Sequence, residues 1–158
     1  MDISIRKANK GDYESSLSLF RQVHELHVCE RPDLYRKNST PISEEFFESQ
    51  LNDIKQHIFV ATIGNEIVGV VGMKEEEIIE NSFVKARKVL FINSLCVAQA
   101  QRKKGVGKRL MKYVFDFGSS LKVDSIELGV SEKNPYAIEF YESIGMTTKS
   151  RKMEIVLS

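Results

Sequence analysis

The sequence predicts an α+β (mixed α/β) domain, a sheet covered by helices, on three observations. Segments of strand period alternate with segments of helical period from Ile3 to Leu157. Gly64-Asn65 separates two β-branched runs, a strong signal for a two-residue hairpin. VLFINSLCV (Val89 to Val97) is apolar on both alternations, as a central strand covered on both faces must be.

The elements follow in chain order. Ile3 to Lys7 alternates and reads as a strand ended by Asn9 to Asp12. Asp12 is positioned to cap a helix in which Leu17, Phe20, Val23, His24 and Leu26 recur at helical spacing. Cys29 to Ser43 is an irregular polar connection. Ser43 precedes a second short helix with Glu44 and Glu45 at its positive end and Phe46, Phe47 and Leu51 as its apolar pattern. His57 to Met73 forms the hairpin, and the acidic residues Glu75 to Glu80 read as a solvated loop before the Val89–Val97 strand. A helix opens near Gly105 with Val106, Leu110, Tyr113, Val114 and Phe117 on one face, and Gly118 is its expected end. Ser125 to Val130 places Ile126, Leu128 and Val130 on one strand face. Asn134-Pro135 then starts a helix, Asn at the N-cap and Pro in the first turn, with Ala137, Phe140, Tyr141 and Ile144 inward and Gly145 as terminator. Lys152 to Leu157 reads as a closing strand.

Composition narrows the function classes. The 158 residues include 23 Lys+Arg against 22 Asp+Glu, so a nucleic-acid reading needs local clustering rather than net charge. Cys29 and Cys96 have no metal-type spacing and suit a reducing compartment. The N-terminus lacks an apolar leader segment, and no apolar run approaches the ~20 residues of a membrane span. The expectation is a cytoplasmic protein.

The chemistry concentrates in AQAQRKKGVGKRL (Ala98 to Leu110). A strand end, a glycine turn and a helix start bring backbone N–H groups and a positive dipole end together, which suits phosphate. Gly105 and Gly107 allow positive φ and close approach of an anion. Neither the G-x-x-x-x-G-K-[ST] loop nor the dinucleotide glycine fingerprint is present. R-x-x-G-x-G (Arg102 to Gly107), followed after about 27 residues by NPYAIEFYESIGM (Asn134 to Met146), resembles the paired signatures of the GNAT N-acetyltransferase superfamily. The sharp resemblance spans Val89 to Met146.

The resemblance implies a GNAT-like fold over residues 1–158 as a single N-acetyltransferase domain. Its central, mostly antiparallel twisted sheet would have six to seven strands flanked by about four helices, with splayed central strands forming the cofactor cleft. It implies acetyl-CoA as cofactor, coenzyme A as product, and no metal. The pyrophosphate would sit on the amides running through Arg102, Lys103, Lys104, Gly105, Val106, Gly107 and Lys108. Leu95, Cys96 and Val97 would bond the pantetheine through their backbone, and Asn134 would meet the cofactor arm, although a helix N-cap explains Asn134 equally well. Tyr141 matches the family's acid, placed to protonate the departing thiolate; a core tyrosine is its alternative role. Asn93 stands where many relatives carry a glutamate base, which leaves a water chain or a carboxylate from Glu75 to Glu77 as substitutes. A covalent route through Cys96 competes with simple burial of that residue.

His24 and His27 share a helix face, but no further His or Cys completes a metal site. Glu30, Arg31 and Asp33 are either acceptor contacts or an exposed polar loop. The leading expectation is transfer of an acetyl group to a primary amine by direct attack, the acceptor being a small molecule or a protein amine. The alternatives are an acyl-CoA-binding sensor that has lost catalysis and a nucleic-acid binder using Arg102 to Arg109. Near-neutral charge and the lack of aromatics in that cluster oppose the last. No membrane partner is expected, and a homodimer is left open.

Overall fold

The computed structural model describes residues 2–158, in which five strands form one sheet of order β1-β2-β3-β4-β5. Strand β1 (Ile3–Lys7) leads through a single 3-10 turn into α1 (Tyr13–Glu30), and α2 (Glu44–Asn52) precedes β2 (Gln56–Ile63). Next come β3 (Glu66–Ile78), β4 (Arg87–Val97), α3 (Val106–Leu121), β5 (Ser125–Leu128) and α4 (Pro135–Ser143). The first four strands pair antiparallel, while β4 and β5 are parallel and joined by the α3 crossover. Gly64 takes φ +61° in the two-residue β2–β3 connection, a conformation that glycine adopts without steric cost.

Both sheet faces are buried. Phe59, Ala61, Val71, Met73, Leu90 and Ile92 pack against Val106, Leu110, Met111 and Val114 of α3. On the other face Ile58, Val60, Val70 and Cys96 pack against Leu17 and Phe20 of α1 and Phe47 of α2. Tyr13 adds an edge-on ring contact to Phe47 and donates its hydroxyl to the Ile42 carbonyl at 2.7 Å, fixing the α1–α2 connection.

Four expectations change. Five strands are observed, not six to seven: Lys152 to Leu157 makes no strand and is exposed throughout. Asp12 does not cap α1 through its side chain. It closes a capping box with Asn9, and its carboxylate accepts two bonds from Arg6 at 2.8 and 2.9 Å, which holds it below the usual carboxylate range. Gly118 lies inside α3, which runs on to Leu121 with Lys122 as its left-handed cap; a Cβ at Gly118 would stand 2.9 Å from Ile126 Cδ1. The glycine therefore serves close packing of α3 on β5. Finally, Glu75 to Glu77 belong to β3 rather than a loop, and Glu75 bonds His57 Nε2 at 2.7 Å beside Phe117.

Candidate active site

The site begins where two strands part. Pairing of β4 with β5 runs from Val89↔Ser125 to Ile92↔Leu128, where β5 stops while β4 continues to Val97. On its other edge β4 stays paired with β3, but Gly72 faces Ser94 and Met73 faces Ile92, leaving Asn93 as an extra residue. A bulge of this kind shifts the alternation of the strand by one. Leu90 and Ile92 before it and Leu95 and Val97 after it thus all meet the α3 core, whereas Cys96 joins the α1 core. This shift accounts for a strand apolar on both alternations. Beyond Leu128, no strand among the described residues covers the β4 edge from Asn93 to Val97.

The start of α3 lies directly after that open edge. Gly105 caps the helix with φ +87°, Lys103 has φ +63°, and nothing within 4 Å would meet a Cβ at Gly105. The first bond of the helix is Arg109 N–H to the Gly105 carbonyl. Among the described residues, the N–H groups of Lys103, Lys104, Gly105, Val106, Gly107 and Lys108 donate to no protein acceptor. These donors share the positive end of a helix dipole, the arrangement that suits an anion. Arg102, Lys103, Lys104 and Lys108 are exposed and form no ion pair among the described residues, while Arg109 turns away to the Ile3 carbonyl at 3.1 Å.

Gly107 has a different role from the one its spacing suggested. Its φ is not positive, and a Cβ there would lie 3.2 Å from Phe140 Cζ and 3.7 Å from Val97 Cγ2. It lets α4 approach α3 and the end of β4. Val106 contributes only its amide to the turn, because its side chain is buried in the core.

Tyr141 is half-buried on α4, its ring 5.3 Å from that of Phe140, and its hydroxyl has no partner among the described residues. Burial, with a smaller contribution from nearby Cys96, pushes its pKa up to about 12. Cys96 is itself buried, and desolvation raises its thiol to about 12. A group so placed is a poor nucleophile at neutral pH, which argues against the covalent route. Asn134 Oδ1 accepts the Ala137 N–H at 3.1 Å, so its oxygen is engaged in capping α4 and its amide nitrogen remains available.

On the α1–α2 side of the bulge is a recess of about 440 Å³, lined by Phe20, Ile42, Phe46, Gln50, Gln56, Ile58, Gly72, Lys74, Asn93 and Ser94. Lys74 is its one charged lining residue, and no carboxylate lines it. Glu75, offered as a substitute base, is instead committed to His57 on the opposite sheet face. Phe46 and Phe47 do different work from their shared apolar pattern: Phe47 is fully buried, whereas Phe46 is 50% exposed and lines the recess.

Gln22 escapes sequence reasoning altogether. Its Nε2 donates to the Val97 carbonyl at 3.0 Å and its Oε1 accepts the Gln99 N–H at 3.3 Å, clamping the end of β4. A polar position on the sheet-facing side of α1 was its only available signal. Arg31, by contrast, is occupied: it bonds Asp33 at 2.7 Å and Glu154 at 2.7 Å. His24 Nε2 lies 2.6 Å from the Arg36 carbonyl, His27 stacks on Tyr35, and no group of three or more metal-ligating side chains occurs among the described residues. No helix among them is long and apolar enough to cross a membrane.

A parting of β4 from β5, beside free amides at a helix start, defines an open α+β fold with an anion-suited turn at the mouth of a cleft, and comparison with known proteins places it in a family. The acetyltransferase (GNAT) family matches residues 20–146, and the chain belongs to that family. A mutant of the BH1408 protein from Bacillus halodurans is 31% identical, with a TM-score of 0.96 over 98% of this chain and 99% of its own. The aminoglycoside acetyltransferase AAC(6')-Iy, solved with a bisubstrate analogue of coenzyme A, is 17% identical at TM-score 0.77 over 100% of this chain and 99% of its own. The aminoglycoside acetyltransferase meta-AAC0020 from an uncultured soil metagenomic sample, solved with sisomicin, is 20% identical at TM-score 0.75, covering 99% and 95%. The last two likenesses concern the fold.

Proposed function

We propose that residues 1–158 act as one acetyl-CoA-dependent N-acetyltransferase that moves an acetyl group to a primary amine by direct attack. The observation that carries this reading is the run of unpaired amides from Lys103 to Lys108, next to the open β4 edge. Several N–H donors on a helix N-terminus, ringed by cations free of carboxylates, fit a diphosphate. Arg102 to Lys108 would hold the pyrophosphate. The backbone of Leu95, Cys96 and Val97 would bond the pantetheine as an added strand does. Asn134 retains an N–H₂ for the cofactor arm.

Acetyl-CoA supplies an activated acyl carbon and a thiolate leaving group. The protein's part is proton traffic and position. Tyr141, neutral at physiological pH and free at its hydroxyl, is suited to give a proton to the thiolate sulfur. The recess at Asn93 would seat the acceptor. Asn93, Gln50 and Gln56 orient polar groups but take no proton, so the amine must arrive neutral or lose its proton to water.

Calorimetric titration with acetyl-CoA tests the reading. Binding that disappears when the turn is altered by Gly105→Val is expected, because a β-branched residue resists φ +87°. Absence of binding by the unaltered chain overturns it. Binding without thiol release across a panel of primary amines would favour a sensor, a reading to which the carboxylate-free recess lends support.

A further inference from the structure

The recess at Asn93 has a chemistry of its own. Its floor is the sheet face, where Ile58 of β2 stands opposite Gly72 of β3, and Gly72 opposite Ser94 of β4. Gly72 leaves the middle of that floor without a side chain; a Cβ there would lie 3.0 Å from Ser94 Oγ. Helices supply the walls, through Phe20 of α1 and through Phe46 and Gln50, one turn apart on α2. At about 440 Å³ the space lies in the range of small-molecule sites.

Its charge is of one sign. Helix α2 carries Glu44, Glu45 and Glu48, yet none of them lines the recess. Lys74 does, exposed at the rim and without an ion-pair partner among the described residues. Two carboxylates nearby leave it free. Asp53 accepts Gln56 Nε2 at 2.9 Å and the Lys55 N–H at 2.9 Å, and these bonds, with a smaller pull from Lys74, hold it below its usual range. Glu76, two residues further along β3, neither lines the recess nor pairs with Lys74. Asn93 and Ser94 add side-chain donors that meet no protein acceptor among the described residues.

Lys74 lies two residues from Gly72 along β3, about 7 Å, on the side away from Leu95 to Val97. The cation and the open β4 edge therefore stand at opposite ends of the recess, and Phe20, Ile42, Phe46 and Ile58 give it an apolar lining. Taking the acetyltransferase reading as its basis, we propose that the acceptor is a small primary amine that also carries a carboxylate, with an apolar body joining the two. The carboxylate meets Lys74, and the amine enters beside Ser94, toward the open β4 edge. A polycation would leave water without finding a carboxylate in the recess and would meet Lys74 as a like charge. A neutral apolar amine would fit the walls but gain nothing from Lys74.

Three benzylamines of matched size test this: para-(aminomethyl)benzoate, its carboxamide and para-xylylenediamine. They set an anion, a neutral group or a second cation opposite the reacting amine. Each is titrated calorimetrically into the chain saturated with coenzyme A, and then assayed for thiol release with acetyl-CoA. The carboxylate should bind, and should react with a kcat/KM about tenfold above either of the others. Lys74→Met should abolish that advantage, and Lys74→Glu should pass it to the diamine. Equal use of the three probes, or preference for the diamine, overturns the inference, as does a carboxylate preference that survives Lys74→Met. On a chain that binds acetyl-CoA these results strike the acceptor class alone, whereas failure to bind acetyl-CoA strikes the acetyltransferase reading beneath it. The titrations rank the probes even where no thiol is released, and the unaltered chain decides should a variant misfold.

Discussion

Tyr141 can give a proton in the proposed reaction, whereas Asn93 can take none. The tyrosine carries an acid whose pKa, raised by burial to about 12, keeps it protonated across the physiological range. A raised pKa on an acid moves its loss of function upward in pH. The rate should therefore rise with the neutral fraction of the acceptor amine and show no descending limb from the tyrosine below about pH 10. Tyr141→Phe keeps the ring against Phe140 and removes only the hydroxyl. It should lower kcat by about 10²-fold in a thiol-release assay and leave acetyl-CoA affinity within about twofold. Unchanged turnover would remove the residue from the mechanism. At this scale the sequence was informative where the turn itself demands a residue, as at Gly105 with its positive φ. It was silent on Gln22, whose hold on Val97 joins residues 75 positions apart along the chain.

The start of α3 shows how an element acquires chemistry from its surroundings. Gly105 and Gly107 look alike in sequence, yet one is required by φ and the other by the nearness of Phe140. Local spacing predicts the first kind of constraint and cannot see the second, which depends on α4. For the same reason Gly118 looked like a terminator: the Ile126 side chain that needs its small size lies on another element. Gly107→Val should push α4 from the turn, disturbing the anion site and Tyr141 together. The expected result is a loss of acetyl-CoA affinity of at least tenfold, read by calorimetry, accompanied by a lower thermal midpoint. Loss of affinity with no loss of stability would point to a direct clash with ligand instead of a displaced helix.

At the scale of the molecule, strand period predicted a closing strand from Lys152 to Leu157, but that segment joins no sheet and is exposed throughout. Patterning says that a segment has two faces; it does not say whether the fold provides a surface to cover one of them. Helix and strand order was otherwise legible, because Asn134, Pro135, Ser43 and the Gly64-Asn65 turn act through neighbours a few residues away.

The extra residue in β4 behaves like a reading frame. Asn93 sets which side of the sheet every later side chain of that strand enters. If Asn93 were paired regularly with β3 instead of being left over, Ser94 and Cys96 would enter the α3 layer and Leu95 and Val97 would turn toward α1, leaving each layer with the wrong volumes. The backbone running from Leu95 to Val97 would rotate with them. Deleting Asn93 outright would leave those faces as they are and remove only the bulge, so the alternation of this strand depends on the extra residue staying out of the ladder.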